Sequence, residues 1–88
     1  MKRSSEFLLR TVAGKQVLVP VGAAAVAFPG MVNMNTSGSY LWELLEQPQT
    51  MDFLVQSILE QYQVTEEVAR ADVEKFIHKL ASIKAITL

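Results

Sequence analysis

The side chains that could carry acid–base or nucleophilic chemistry are few in this chain. It contains no cysteine and one histidine, His78, so a thiol nucleophile, a thiolate metal site and a histidine pair for a metal are all absent. On a helical projection His78 lies opposite the apolar stripe of its helix, which favours an exposed histidine over a general base. Ser37 and Ser39 stand at the start of a predicted helix, where helix capping explains them. The sequence therefore predicts that this chain alone is not an enzyme.

The other residues that could hold a ligand also have structural explanations. Glu66 and Glu67 fall in the first turn of a predicted helix, where the helix dipole favours negative charge, so a metal-ligand pair is the weaker interpretation. The four glycines are dispersed along the chain and make no phosphate-binding loop. We therefore expect no metal and no cofactor.

The composition is that of one small folded domain. The chain has 88 residues, of which 50% are hydrophobic and 19% are charged, and this length is too short for two hydrophobic cores. The balance of apolar to charged residues separates it from disordered sequences. We predict a single domain over residues 1–88, in which the polar residues 1–5 are frayed or disordered.

The charge and hydropathy of the chain argue against several classes of partner. Eight Lys and Arg against nine Asp and Glu leave a net charge of −1, so no field of one sign is available to attract nucleic acid or anionic lipid. The longest apolar run, residues 17–28, is broken by Pro20 and Gly22 and is shorter than the ~20 residues that cross a bilayer. The polar residues near the start interrupt any signal peptide. We expect a cytoplasmic protein with no membrane and no nucleic-acid partner.

Two predicted elements meet within residues 31–45, MVNMNTSGSYLWELL. The first four residues alternate apolar and polar side chains, which is typical of a short strand, whereas the later apolar residues recur at helical spacing. Asn35, Thr36 and Ser37 lie at the change, and each can offer a side-chain oxygen to a first helical turn. A strand therefore leads directly into a helix, which ends before Pro48.

A hairpin precedes this junction, and two further helices follow it. Residues 7–12 and 16–21 are short runs of aliphatic and β-branched side chains, and Gly14 between them can adopt the positive φ of a tight turn. Thr50 and Thr65 are the predicted caps of the two later helices. Three strands followed by three helices predict an α+β, winged helix-turn-helix-like domain, with a three-stranded antiparallel β-sheet followed by a three-helix bundle.

The third predicted helix carries one apolar stripe with a polar border on each side. The stripe consists of Ala69, Val73, Phe76, Ile77, Leu80 and Ile83, which share an arc of roughly 120°. Arg70 and Glu74 form one border, and Asp72 and Lys79 form the other. The stripe is the face that we expect to pack on the core.

These elements resemble those of the PqqD family. Residues 34–45 are similar to the family's strand-to-helix motif, in which a Leu-Asn pair is followed by Thr-Gly, an aliphatic-Trp pair and a leucine-rich turn. Residues 7–10, 17–22 and 28–31 resemble its N-terminal strands, and residues 71–76 resemble its last helix. The sequence departs from the family pattern at Met34, where Leu is usual, and at Pro29, where Asn is frequent. The resemblance covers nearly the whole chain.

The resemblance implies a peptide-binding function. PqqD-like domains are the prototype of the RiPP recognition element, which binds the leader segment of a ribosomally made precursor peptide and delivers it to a modifying enzyme. For the PqqD family that enzyme is a radical SAM maturase in pyrroloquinoline quinone (PQQ) biosynthesis. The leader pairs with the third strand and lies against the third helix. The expected partners are therefore a precursor leader peptide and a radical SAM enzyme.

The residues of this chain make such binding feasible. A third strand at the sheet edge leaves alternate N–H and C=O groups unpaired, which is a template for an added strand. Specificity would come from a groove between that strand and the third helix. Packing in the core explains Met31 and Met34 as well as peptide contact does. Core packing is the stronger explanation of Val73 and Ile77. The predicted peptide-binding residues are Met31, Val32, Asn33, Met34, Arg70, Val73, Glu74 and Ile77.

Three alternatives stay open on the sequence alone. A winged helix can bind DNA through its third helix, although the first turn of that helix is acidic here and offers little charge for phosphates. A free edge strand can pair with a second copy, and a strained hinge at residues 28–30 favours strand exchange between protomers, so a homodimer is a further candidate. The last alternative is a structural or assembly subunit with no peptide ligand.

Overall fold

The N-terminal hairpin supplies two of the three strands of a small sheet, and the long helices share one buried cluster with it. The computed structural model describes residues 1–88. The elements in chain order are β1 (Lys2–Arg3), β2 (Phe7–Val12), β3 (Lys15–Pro20), α1 (Ala23–Ala27), β4 (Val32–Met34), α2 (Thr36–Leu44), α3 (Met51–Gln61), α4 (Glu66–Ser82) and β5 (Ile86–Thr87).

Strands β2 and β3 form the predicted hairpin and pair over their full length. Ala13 and Gly14 make the turn between them, with φ values of 52° and 79°. Two consecutive positive φ values are typical of a type I′ turn, whose twist matches that of the flanking strands. Strand β3 ends at Pro20, as expected where the chain has no N–H to donate to a ladder.

The third strand of this sheet is β4, which pairs antiparallel with β3 and gives the order β2-β3-β4. Helix α1 links β3 to β4 and has only five residues, none of them buried. So short a helix has no stability of its own, and it serves as a single-turn connection between the two strands. The predicted third strand is thus β4, and the predicted third helix is α4.

Each of the three long helices begins at a side-chain cap. Side-chain oxygens of Asn35, Thr50 and Thr65 accept hydrogen bonds from the backbone N–H three residues later, at 2.7, 3.1 and 3.2 Å respectively. Such a cap contributes about 1 kcal/mol. The threonine caps confirm the predicted starts of α3 and α4, and among the three candidates for the start of α2 the structure selects Asn35.

One hydrophobic cluster of 15 buried residues joins the sheet to the helices. The hairpin contributes Phe7 and Leu18, β4 contributes Val32, and α2 contributes Trp42, which is 2% exposed. The stripe predicted on the third helix is confirmed where α4 buries Ala69, Val73, Ile77 and Leu80. Burial of this apolar surface is the main favourable term in folding.

Residues 1–5 differ from the sequence-based expectation of a frayed end. Strand β1 pairs antiparallel with β5, and the backbone N–H groups of Arg3 and Ser4 donate to the C=O groups of Leu45 and Ala85 at 2.9 and 2.8 Å. The Arg3 guanidinium also lies 5.7 Å from the centre of the Trp42 ring. Composition alone does not reveal this arrangement, because the partners lie far away along the chain. We call the β1–β5 pair with these contacts the terminal clasp.

The predicted α+β fold class is confirmed. A three-stranded antiparallel sheet precedes three capped helices, and the short α1 and the terminal clasp are additions to the predicted plan. None of the helices combines the length and the apolar character that a membrane-spanning segment requires.

Candidate functional site

Strand β4 lies at the edge of the sheet, with β3 on one side and no strand of the chain on the other. The register of hydrogen bonds tells which backbone groups face the open side. The N–H of Val21 donates to the C=O of Glu6 at 2.8 Å, and bonded pairs alternate along an antiparallel ladder. Every second residue of β3 therefore bonds to β2, and the residues between them, Gln16 and Leu18, direct their backbone groups to β4.

The same alternation identifies the outward groups of β4. Met34 and Val32 are the partners of those two β3 residues, so their N–H and C=O groups point inward to the sheet. Met31 and Asn33 consequently direct their N–H and C=O groups away from it. Neither residue takes part in any of the turn, loop or side-chain hydrogen bonds of the chain. The outer edge of β4 thus presents four backbone groups without a partner, which we call the open edge.

A groove of about 600 Å³ lies beside the open edge, between β4 and α4. Its floor includes Leu41 and Ile58, which are buried, and Tyr62, which is half-buried. Val73 and Phe76 line it from α4. An apolar groove beside a free strand edge combines unsatisfied backbone groups with surface that gains from burial.

Gly38 allows the first turn of α2 to approach this groove closely. A Cβ placed on Gly38 would lie 3.2 Å from Cε1 of Phe76 and 3.6 Å from Cε of Met34. Oδ1 of Asn35 would be closer still, at 3.0 Å, so a larger side chain fits at this position only if Asn35 and Phe76 both shift. The strand-to-helix junction thereby fixes both the end of the open edge and one wall of the groove.

The polar rim of the groove is formed by Asp72, Lys75 and Lys79 of α4, all exposed. None of these three side chains takes part in an ion pair, since the two ion pairs of the chain join Arg3 to Glu46 and Arg70 to Asp52. The groove thus has one more positive than negative side chain. This excess is opposite in sign to the net charge of the whole chain, −1.

The structure brings together only part of the predicted peptide-binding set. Val32, Asn33, Met34 and Val73 line the groove. Met31 is 59% exposed and supplies the outermost groups of the open edge. For Met34, half-buried in the groove wall, the structure supports both of the roles considered, packing and contact surface.

Arg70, Glu74 and Ile77 lie outside the groove, which corrects their predicted placement on its wall. The Arg70 guanidinium donates to Asp52 at 3.2 Å, so it faces α3. Ile77 is 2% exposed and belongs to the core. The physical reason is that α4 turns its Asp72 and Lys79 border toward β4 and its Arg70 border toward α3.

The sequence contained a signal for the groove residues of α4 that the prediction missed. That signal did not tell which border of the helix faces the sheet. Asp72 and Lys79 appear as one of the two borders of the predicted stripe, and Phe76 appears within it. Nothing in the periodicity of a single helix tells which border faces a sheet, because that depends on how the helix is rotated against distant strands. Lys75 lies further from the stripe and enters the groove rim only through the tertiary arrangement.

No group of three or more His, Asp or Glu side chains lies close enough to hold a metal ion. His78 is exposed, as the helical projection predicts. The chemistry available at the groove is therefore hydrogen bonding along the open edge, apolar contact on the floor and charge at the rim.

The fold and this site define a class of protein, namely a small α+β domain with an open strand edge beside a helix. The family described as Coenzyme PQQ synthesis protein D (PqqD) matches residues 15–86. The chain therefore belongs to the PqqD family, and the resemblance seen in the sequence is confirmed.

Comparison with solved structures finds a similar fold in TbiB1, whose structure was determined in complex with the TbiA(beta) leader peptide. The two chains superpose with a TM-score of 0.75 and 22% sequence identity, over 97% of this chain and 93% of TbiB1. This likeness supports the assigned fold. No curated protein matches the chain in sequence.

Proposed function

We propose that this chain is a non-catalytic recognition domain that binds the leader of a ribosomally made precursor peptide by adding it as a strand to β4. The observation that carries the proposal is the open edge: the outward backbone groups of Met31 and Asn33 lie next to an apolar groove. Membership of the PqqD family and the likeness to TbiB1, itself bound to a leader peptide, support it. The domain acts as a RiPP recognition element in the cytoplasm, where precursor peptides are made.

We propose that the peptide adds antiparallel to β4, in the same sense as the two strand pairs of the sheet. Its residue opposite Asn33 exchanges N–H and C=O bonds with that residue and points away from the helices. The two peptide residues on either side of it lie opposite Val32 and Met34, and their side chains enter the groove. The bound segment therefore carries apolar side chains two residues apart.

A comparison of binding free energies shows that both the open edge and the apolar groove are needed. Four backbone hydrogen bonds contribute about 1 kcal/mol each, and each apolar side chain buried in the groove contributes about 1.5–3 kcal/mol. Association costs at least ~4 kcal/mol in lost freedom of motion. Backbone pairing alone would therefore do little more than offset that cost, and the groove supplies the affinity.

The antiparallel orientation also gives a direction for delivery. The peptide runs from the α2 end of β4 toward Met31, so the segment that follows the leader leaves the domain beside α1. Exposed apolar side chains lie there, since Val26 is 86% and Met31 59% exposed. We propose that a radical SAM maturase, in PQQ biosynthesis or the synthesis of another modified peptide, approaches this end and receives the peptide.

The open edge has a second use when no peptide is present. Two copies can pair through β4, or exchange their N-terminal strands about the hinge at residues 28–30, and form a homodimer. A strand of three residues buries little surface, so we expect dimers only at high protein concentration. Light scattering tests this: the leader peptide should dissociate the dimer, and a strict monomer at high concentration would refute it.

Replacing Asn33 with proline tests the proposed function. Proline removes the outward N–H of Asn33 without breaking a bond between β4 and β3, and Val32 before it is already extended. The matched control is Thr11→Pro, which removes an outward N–H from the opposite edge of the sheet. The ligand is the fluorescently labelled leader of a candidate precursor peptide, sought among short open reading frames near the gene, with fluorescence anisotropy as the readout.

Asn33→Pro should weaken binding of the leader at least about tenfold, the effect of one lost hydrogen bond and an unpaired peptide C=O. Thr11→Pro should bind as the unaltered chain does, and thermal melts should show that both variants fold. Equal affinity of the two variants would exclude strand addition at β4.

A further inference from the structure

Lys75 and Lys79 are two positive side chains one helical turn apart on α4, and both line the groove. Both are exposed, and neither forms an ion pair with any residue of the chain. Like charges at this spacing repel, at a cost of about 0.2–0.5 kcal/mol in an isolated helix. The free domain therefore holds an unfavourable charge pair at the rim of its candidate site.

The neighbouring acidic residue does not neutralise this pair. Asp72 also lies on the rim, three residues before Lys75, but its carboxylate is not within ion-pair distance of either lysine. The contrast with Arg70 is informative, because Arg70 on the other border of α4 has Asp52 as a partner at 3.2 Å. The basic residue of α4 that faces α3 is paired, and those that face the groove are not.

We propose that the groove selects peptide strands that carry an aspartate or glutamate, whose carboxylate lies between Lys75 and Lys79. This inference rests on the proposed function and adds the charge of the ligand to it. The apolar side chains opposite Val32 and Met34 fill the floor, while the acidic side chain stays at the rim. There the flexible lysine stems reach it without removing either charge from water.

Rim charges of this kind act mainly on selectivity and on the rate of association. The attraction is screened by salt, because the lysines are exposed. Binding of an acidic strand should therefore weaken as salt is raised, whereas binding of an uncharged strand with the same apolar residues should change little.

Selection from a phage-displayed library of random dodecapeptides tests the inference and does not require the sequence of the natural leader. The unaltered domain is compared with a charge reversal at the rim, Lys75→Glu with Lys79→Glu. The matched control, Lys15→Glu with Lys84→Glu, makes the same change of net charge away from the groove. A third variant, Asp72→Asn, removes the negative charge from the rim, and Asn33→Pro removes the outward amide of β4.

The unaltered domain and the control should enrich peptides with Asp or Glu beside alternating apolar residues, and the rim reversal should enrich Lys or Arg instead. An acidic peptide from the first pool should bind the reversed variant about tenfold more weakly, and its Gln counterpart should not. Asp72→Asn should bind the acidic peptide more tightly. Thermal melts check that the variants fold, which exposed positions allow.

Two other outcomes separate the inference from the function on which it rests. In one outcome the selected peptides depend on the Asn33 amide but show no preference for acidic residues, or the preference for acidic residues persists after the rim reversal. The inference is then wrong and strand addition stands. If the Asn33→Pro variant selects the same peptides as the unaltered domain, or nothing is selected, both proposals fail.

Discussion

Asn35 acts at the point where the open edge ends and α2 begins. Its side-chain Oδ1 accepts from the N–H of Gly38 at 2.7 Å, and Ser37 donates to the same oxygen at 3.2 Å. Asn35 is also part of the groove lining. One residue thereby caps a helix and sets the direction in which the strand leaves the groove.

We predict that Asn35→Ala, Thr50→Ala and Thr65→Ala each lower the free energy of unfolding by about 1 kcal/mol, because each removes one helix cap. Only Asn35→Ala should also weaken leader binding, since only this cap touches the groove. Urea denaturation gives the stabilities, and fluorescence anisotropy gives the affinities. Equal binding by all three variants would show that the cap does not position the groove.

Two buried serines give a matched test of hydrogen-bond satisfaction. Ser39 and Ser57 are each 7% exposed. The Ser57 hydroxyl donates to the C=O of Phe53 at 2.8 Å, whereas the Ser39 hydroxyl has no partner. Ser39→Ala should therefore stabilise the domain relative to Ser57→Ala by about 1 kcal/mol in urea denaturation. A larger loss of stability in Ser39→Ala than in Ser57→Ala would contradict this.

At the residue scale, sequence reasoning succeeds where the chemistry is local. The caps Thr50 and Thr65 were predictable because a cap bonds to a backbone N–H only three residues away. The unsatisfied hydroxyl of Ser39 was not predictable, because the burial of this side chain depends on residues from other elements. Local bonds can be read from the order of residues, and burial cannot.

At the level of elements, the β2–β3 turn contains a residue in an unfavourable conformation. Ala13 has a φ of 52°, in the left-handed region that costs an ordinary side chain about 1 kcal/mol. Asn-Gly is the preferred pair for a type I′ turn. Ala13→Asn should therefore stabilise the domain by about 0.5–1 kcal/mol without affecting binding.

Thermal and urea denaturation check this prediction, with Thr11→Asn as a neighbouring control in an extended strand. A loss of stability in Ala13→Asn greater than that of the control would indicate that the turn is not of type I′ in solution.

The candidate site was predictable only in part, and the division follows from how each element is positioned. The open edge could be inferred because β4 is the last strand of a three-stranded run and leads into a helix. The groove wall could not, since the rotation of α4 decides between Arg70 with Glu74 and Asp72 with Lys79. That rotation is set by packing of the whole stripe against the core.

At the scale of the whole molecule, the terminal clasp joins the two ends of the chain to the core. Arg3 contributes a backbone bond to Leu45, a side-chain bond to the C=O of Trp42 at 3.2 Å and contact with the Trp42 ring. We predict that deletion of residues 1–5 lowers the free energy of unfolding by about 2–4 kcal/mol, the sum of several bonds of ~1 kcal/mol and a cation–π contact.

Urea denaturation measures the loss, and hydrogen exchange should show faster exchange at the Thr87 amide, because the bonded pairs of this ladder alternate and Thr87 is paired with Lys2. Lys2→Ala, which alters an exposed side chain and keeps the backbone pairing, is the control and should change stability by less than ~0.5 kcal/mol. A deletion variant as stable as this control would mean that the clasp does not contribute in solution.

The account depends on one physical claim, that the outward N–H of Asn33 is free in the isolated domain and becomes bonded when a leader peptide adds to β4. Hydrogen exchange of that amide, followed by NMR with and without a leader peptide that the domain binds, tests it most directly. The account predicts fast exchange in the free domain and marked slowing at saturating peptide, with the Thr11 amide at the opposite edge unchanged. An Asn33 amide that is already protected without peptide, or that exchanges as fast with it, would contradict the account.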